Sequence, residues 1–361
     1  MISAHRRLAL GLAFIGCGNA TSANVRGRDA SLDGRAHVEA GREGGAEAGA
    51  GVGEGGVDAS GCSAGEPGVT CLAATSLSHT NGVLALDDEN VYWGEEGSTA
   101  STSVIVKAPR AGGAVTTVAS GLPLSMASDG THLYWGYSTS NAGVLVAVPV
   151  GGGQVVTLAT DAFPVCLATD ADNVYWADQQ VAAVLSVPKR GGNAVTLAQG
   201  TAYSIAVDST NVYWTGYGGS GEGLFKVGKG GGTVTPLFSP QAGFVGLGCE
   251  ALALAGDSIV AVFQPSYDAA APVQLIIVPI SGGGSPQVLA SSGSPSILVA
   301  NATTVYWAGL AATLQINETP IVGGATTLLA SPAAYRVPDM ALASDGTLYW
   351  LTNSQVQSIK P

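Results

Sequence analysis

Positive charge is scarce in this chain. Lys and Arg number 14 in 361 residues against 26 Asp and Glu, a net charge of −12. Nucleic acid demands a basic footprint, so it is not an expected partner. A polybasic lipid-binding surface is excluded on the same ground. No apolar run reaches about 18 residues, so no segment is expected to span a membrane as a helix. Histidine is nearly absent: only His79 and His132 follow residue 61. General acid–base work usually draws on His or a tuned carboxylate, and both histidines read as solvated loop residues. There is no G-x-S-x-G elbow, no C-x-x-C pair and no Cys/His metal spacing. No catalytic residue, metal or cofactor is therefore expected. What is abundant is Gly, with 52 residues, and apolar residues at 46%. At this length that is enough for a well-buried core.

The N-terminus reads as an address. His5, Arg6 and Arg7 form a basic stretch, and residues 8–16 a short apolar one. As a helix the latter would cover only about 14 Å, less than half of a bilayer core of about 30 Å. It is a signal peptide rather than an anchor helix. The segment Phe14-Ile15-Gly16-Cys17 resembles the bacterial lipobox. That resemblance implies a diacylglycerol on the Cys17 thiol, cleavage before Cys17, and attachment to the membrane through lipid alone. Gly18 stands where an inner-membrane retention signal would place Asp, so the outer membrane is the expected location. Residues 18–61, with GREGGAEAGAGVGEGGVDASG as their second half, cannot bury enough apolar surface to offset ordering entropy. They are expected to form a disordered Gly/Ala/Glu-rich tether.

Residues 62–361 are repetitive. All six tryptophans occur as Tyr-Trp pairs, at Tyr92-Trp93, Tyr134-Trp135, Tyr175-Trp176, Tyr213-Trp214, Tyr306-Trp307 and Tyr349-Trp350. The gap from Trp214 to Trp307 is about twice the others, and Ile259-Val260-Ala261 stands inside it as a degenerate copy. A period of about 43 residues with strand-like content is the signature of a propeller blade. Seven units fit. Each resolves into four short runs rich in β-branched and aromatic residues, bounded by Gly, Asn, Asp and Pro. In the fourth unit these are 204–208, 211–215, 224–227 and 233–237. Gly-rich turns such as Pro109-Arg110-Ala111-Gly112-Gly113 join the third run to the fourth. Asp-opened turns such as Asp208-Ser209-Thr210-Asn211 join the first to the second. Such an Asp accepts hydrogen bonds from its own downstream N–H groups. A ring of metal ligands is the weaker reading, because each Asp lies in a different blade. The last unit stops after its third run, 355–360, while Val69-Thr70-Cys71-Leu72-Ala73 matches the fourth runs of other units. The N-terminal strand is expected to complete the last blade and close the ring.

The fold class is thus all-β: a seven-bladed β-propeller of four-stranded blades, ring closed by an N-terminal strand, preceded by the tether. The stretch from Ala206 to Gly216, with Val212-Tyr213-Trp214-Thr215 at its centre, resembles the YWTD-type blades of lipoprotein-receptor ectodomains. No copy has Asp after Tyr-Trp-Thr, and seven units differ from that family's six. The whole chain is similar to Gly-rich propeller lipoproteins of Gram-negative bacteria, which implies location and architecture rather than chemistry.

An aromatic on the second strand of a blade packs against the neighbouring blade, so the Tyr-Trp pairs read as core rather than as sugar platforms. Cys62, Cys71, Cys166 and Cys249 are an even set compatible with export. Cys62 and Cys71 are the candidate disulfide, a short loop that pins the closing strand. Cys166 and Cys249 belong to units two blades apart and would have to approach within about 7 Å to pair; buried free thiols are the simpler reading. Function is expected on the second-to-third and fourth-to-first loops, which share one face. Glu95, Glu96, Glu222 and Asp268 make that face acidic and are its candidate binding residues. The expectation is a non-enzymatic module binding a protein or polysaccharide ligand at the cell envelope. A periplasm-facing assembly scaffold is the alternative, and a propeller-type lyase or lactonase a more distant one.

Overall fold

The computed structural model describes residues 66–75, 82–98, 102–138, 143–219, 221–239, 251–265 and 271–361. The signal segment with Cys17, the tether, His79, Cys62, Cys249 and Asp268 lie outside the described residues. Among those described there is no α-helix; seven four-stranded antiparallel sheets make up the structure, as the repeat implies. Strands are numbered here from first to fourth outward within each blade. Blade 1 is Leu84–Leu86, Asn90–Glu95, Val104–Pro109 and Thr116–Ser120. Blades 2 to 6 repeat this plan in chain order. Blade 7 is Met340–Leu342, Leu348–Leu351, Gln355–Ile359 and, from the other end of the chain, Thr70–Ala74. The N-terminal strand therefore closes the ring.

The Tyr-Trp pair explains how blades stack. Successive strand residues point to opposite faces of a sheet. Tyr92 of blade 1 packs with Trp135 of blade 2, Tyr134 with Trp176, and Tyr175 with Trp214. Tyr306 packs with Trp350, and Tyr349 with Trp93 across the closure. Each wedge between these blades is filled by a tyrosine from one side and a tryptophan from the other. All six tryptophans are essentially buried. Blade 5 offers only Val260 and Ala261 at the pair, and Phe263 fills part of the wedge, edge-on to Phe238 at 5.2 Å.

Burial falls from the middle of a blade outward. The second strand of blade 1 is buried on both faces through Val91, Tyr92 and Trp93, while its fourth strand buries only Val118 and Ala119. In every blade the outer pair carries a register shift, as between Ile105 and Val106 or between Cys71 and Ala73. Such bulges twist the outer edge and blunt it against edge-to-edge pairing. In the third-to-fourth turns, Gly112 N–H donates to the Pro109 carbonyl at 2.9 Å, and five other blades repeat this bond. The glycine there has φ between +76° and +86° in all six, a conformation that a Cβ would penalise.

Candidate functional site

The ring has two unlike faces. One carries the first-to-second and third-to-fourth turns, the other the second-to-third and fourth-to-first loops.

The turn face is a repeated ionic lattice. Asp129 Oδ1 accepts the N–H groups of Thr131 and His132, both at 2.8 Å, while Oδ2 accepts the Tyr134 hydroxyl at 2.8 Å and Lys189 Nζ of blade 3 at 2.6 Å. Asp170 does the same with Asp172, Asn173, Tyr175 (2.8 Å) and Lys229 of blade 4 (2.7 Å). Asp87 and Asp208 hold their own turns and the hydroxyls of Tyr92 and Tyr213. At the closure, Arg110 of blade 1 donates to Asp345 at 2.7 Å and to the Tyr349 hydroxyl at 3.1 Å. Burial pushes the Asp129 and Asp170 carboxyls up. The lysine and turn N–H bonds outweigh it and hold both well below the usual carboxylate range. Burial and the adjacent carboxylate push Tyr92, Tyr134, Tyr175 and Tyr213 far above the usual phenol range.

The cation changes sides by a rule. Where the residue after the third strand is Arg110, Lys189 or Lys229, it reaches back to the preceding blade. At blades 2 and 5 that residue is Val150 or Ile280. There the preceding blade supplies Lys107 or Lys226, opposite the pair tyrosine, and its ammonium donates to the Val150 or Ile280 carbonyl at 2.8 or 2.7 Å. These five boundaries thus each carry a lysine or arginine of one blade bonded to its neighbour. A groove of about 740 Å³ at the closure is lined by Arg110, Asp88, Glu89, Asp345, Tyr349 and Lys360 among others. Arg110 bonds Asp345 and the Asp88 carbonyl there, and Ser344 donates to the Asp88 carboxylate. His132 sits on this face, 3.0 Å from the Thr131 hydroxyl.

The loop face is different. Of the eight Lys and Arg residues after residue 62, Lys107, Arg110, Lys189, Arg190, Lys226, Lys229 and Lys360 belong to the turn face, and Arg336 alone to the loop face. Of the five tyrosines outside the Tyr-Trp pairs, Tyr137, Tyr203, Tyr217 and Tyr335 fall on the loop side, and Tyr267 lies outside the described residues. Tyr203 and Tyr217 meet edge-to-face at 6.3 Å, with Tyr217 43% exposed. Tyr335 is 65% exposed. Beside its loop, blade 7 holds a cavity of about 110 Å³ lined by Glu66, Ser331, Ala333, Thr352, Gln355 and Gln357 with Trp350. Trp350 Nε1 donates to Gln357 Oε1 at 2.9 Å, and Gln357 Nε2 to Gln355 Oε1 at 2.8 Å.

The acidic residues expected to form a site are dispersed. Glu95 ends the second strand of blade 1, with Glu96 following. Glu222 faces Tyr217 in a hairpin of blade 4, three blades away. Glu95 serves the core, since its carboxylate accepts Trp93 Nε1 at 2.5 Å. Asp178 occupies the same position relative to Trp176. It accepts that indole at 3.1 Å and the N–H groups of Phe163, Gln180 and Val181. The tyrosines outside the Tyr-Trp pairs, not the carboxylates, are the residues in the sequence that mark this face.

Toward the axis, the start of the first strand links one blade to the next. Ser125 donates to the Pro164 carbonyl at 3.1 Å, Ser204 Oγ accepts Leu252 N–H at 3.3 Å, and Asp339 Oδ2 accepts Leu84 N–H at 2.7 Å. Asp339 is fully buried. Burial drives its carboxyl well above the usual range, against the pull of the Leu84 and Met340 N–H bonds. Cys166 holds the equivalent position in blade 3 and is disulfide-bonded, so the free-thiol expectation fails for it. Cys71 is also disulfide-bonded; Cys62, its expected partner, lies outside the described residues.

Among the described residues no group of three or more His, Cys, Asp or Glu is placed to hold a metal ion. No protein-family model matches the chain, and no curated protein sequence matches it. Solved structures do. A streptogramin B lyase structure aligns with a TM-score of 0.59 at 11% identity, over 80% of this chain and 96% of that one. The extracellular domain of a putative hybrid two-component system from B. thetaiotaomicron aligns at 0.57 and 12% identity, over 80% of this chain and 39% of that one. At these identities the likeness is one of fold: a β-propeller, an architecture that serves binding, scaffolding and catalysis alike.

Proposed function

We propose that this chain is a lipid-anchored β-propeller of the bacterial outer membrane that binds a ligand through its loop face and catalyses no reaction. The observation that carries the reading is the contrast between the faces. The turn face stitches the blades together with cations bonded to carboxylates or carbonyls of the neighbouring blade. The loop face holds the exposed tyrosines and a polar cavity, and residues so placed on a rigid ring are positioned to meet a partner. The lipobox-like Phe14-Ile15-Gly16-Cys17 and the tether of 18–61 support an anchor at the membrane with the ring held off it.

The test is protease shaving of intact cells together with a Cys17→Ala variant. Digestion of the ring on intact cells supports an outward-facing receptor. Protection that ends when the outer membrane is opened places it on the periplasmic side and favours an assembly scaffold. Cys17→Ala protein that stays with the membrane overturns the lipid anchor.

A further inference from the structure

We propose that the loop joining blades 6 and 7 and the adjoining cavity of blade 7 form a subsite for one sugar residue of a neutral polysaccharide. The inference rests on the loop face being the binding face and names the ligand class. Three observations converge on it. First, Tyr335 projects from the 331–338 loop with 65% of its surface exposed. A phenol ring with a polar tip suits a sugar, whose C–H face is apolar and whose rim is hydroxyl.

Second, Ser331 and Ala333 of the same loop line the cavity of about 110 Å³. That volume holds about four waters, enough for part of a hexose such as its hydroxymethyl arm. Its polar lining comes from Ser331, Thr352, Ser354, Gln355 and Gln357, with Glu66 as its one charged side chain, and the rest is apolar, from Trp350, Val69 and Pro332 among others. Amides both donate and accept, which matches alcohol groups. Glu66 accepts the Ser331 N–H at 2.7 Å, and Gln357, Gln355 and Thr352 also bond within the protein, so a sugar would share these groups.

Third, charge selects against an anionic polymer. Across the face as a whole, Glu66, Glu95, Glu96, Asp161 and Glu222 outnumber Arg336, which follows Tyr335 in the same loop and is the face's one cation among the described residues, in a chain of net charge −12. Among the described residues, the exposed large apolar side chains on this face, Val181, Tyr217, Leu310 and Tyr335, are spread over blades 3, 4 and 6 and the loop beyond. A protein partner of ordinary size needs a contiguous patch of about 800 Å². Separate platforms around a rim suit a chain of repeating units, and the Tyr203–Tyr217 pair would serve a second residue of the polymer.

The experiment is native affinity electrophoresis of the full chain in gels containing dextran, soluble starch, a soluble β-glucan, a galactomannan or, as the anionic comparison, alginate. Two variants are run beside it. Tyr335→Ala removes the platform, and Ala333→Phe fills the cavity mouth without removing a hydrogen bond. Thermal unfolding confirms that both fold. Retardation by at least one neutral polymer, weakened about tenfold in each variant, is the expected result. No retardation by any neutral polymer overturns the sugar subsite, as does retardation by alginate alone. Retardation that survives both variants also overturns it. If retardation survives them and is lost instead in Lys189→Val, the loop-face reading itself fails.

Discussion

The two faces of the ring solve opposite problems with the same blade. On the turn face each pair tyrosine from blade 1 to blade 4 meets an Asp of its own turn, at Asp87, Asp129, Asp170 and Asp208. A lysine then joins that blade to the next at each of these boundaries. On the loop face the position two residues after the tryptophan is Glu95, Tyr137, Asp178, Gly216, Gly309 or Thr352, and no rule covers it. Regularity marks the side that must hold blades in register. Irregularity marks the side where that duty falls to a few residues near the axis, such as Ser125, Ser204 and Asp339. The turn-face lattice is stable because its charges are half-buried and paired in short, charge-assisted bonds, whereas an isolated surface pair contributes little.

The sharpest break of the comparison is Asp129→Ala. It strands the Tyr134 hydroxyl, the Lys189 ammonium and two turn N–H groups, and should cost about 3 kcal/mol in urea unfolding. A loss as small as that of a surface residue would mean the lattice is ornamental. Next comes Lys189→Val, expected to cost about 1–2 kcal/mol. Adding Ala147→Lys, opposite Tyr134, recreates the arrangement of Lys107 with Val150 and should recover most of the deficit. A double variant no better than the single one would show that the cation's side is not interchangeable.

Titration sets the faces against each other. Asp129 and Asp170 have lowered folded values. Their contribution is present above the unfolded carboxyl value of about 3.9 and is lost as pH falls through the folded value. The Lys189→Val deficit should therefore shrink in acid. Asp339 has a raised folded value, so the wild type loses stability as pH rises from the unfolded value through the folded one. Asp339→Asn should gain about 1–2 kcal/mol at pH 8 and nothing at pH 3. A gain that is flat across that range would mean the carboxyl titrates alike in the folded and unfolded chain, so that burial does not raise it. The smallest effect is expected of Tyr335→Ala, within about 0.5 kcal/mol in stability.

Much of this was legible in the sequence, for a physical reason. Blade count and closure follow from Tyr-Trp pairs and from Val69-Thr70, because a propeller core must be refilled in every wedge by the same shapes. The Asp turns were legible because an Asx turn is local. The alternation of Lys107 with Lys189 was not, since it depends on which side chains meet across two blades. Glu95 misled because a carboxylate in a loop reads as solvent-facing, while here it satisfies an indole two residues back. Tyr335 was passed over because its meaning lies in contrast with the buried tyrosines, and that contrast needs the burial of Tyr92 and its counterparts.

The division of labour between the faces is tested most directly by one affinity gel, containing whichever neutral polymer retards the wild type. It carries the wild type, Lys189→Val and Tyr335→Ala. The account predicts that the first two are retarded alike and that Tyr335→Ala is released. Retardation kept by Tyr335→Ala and lost by Lys189→Val would place binding on the turn face and contradict it.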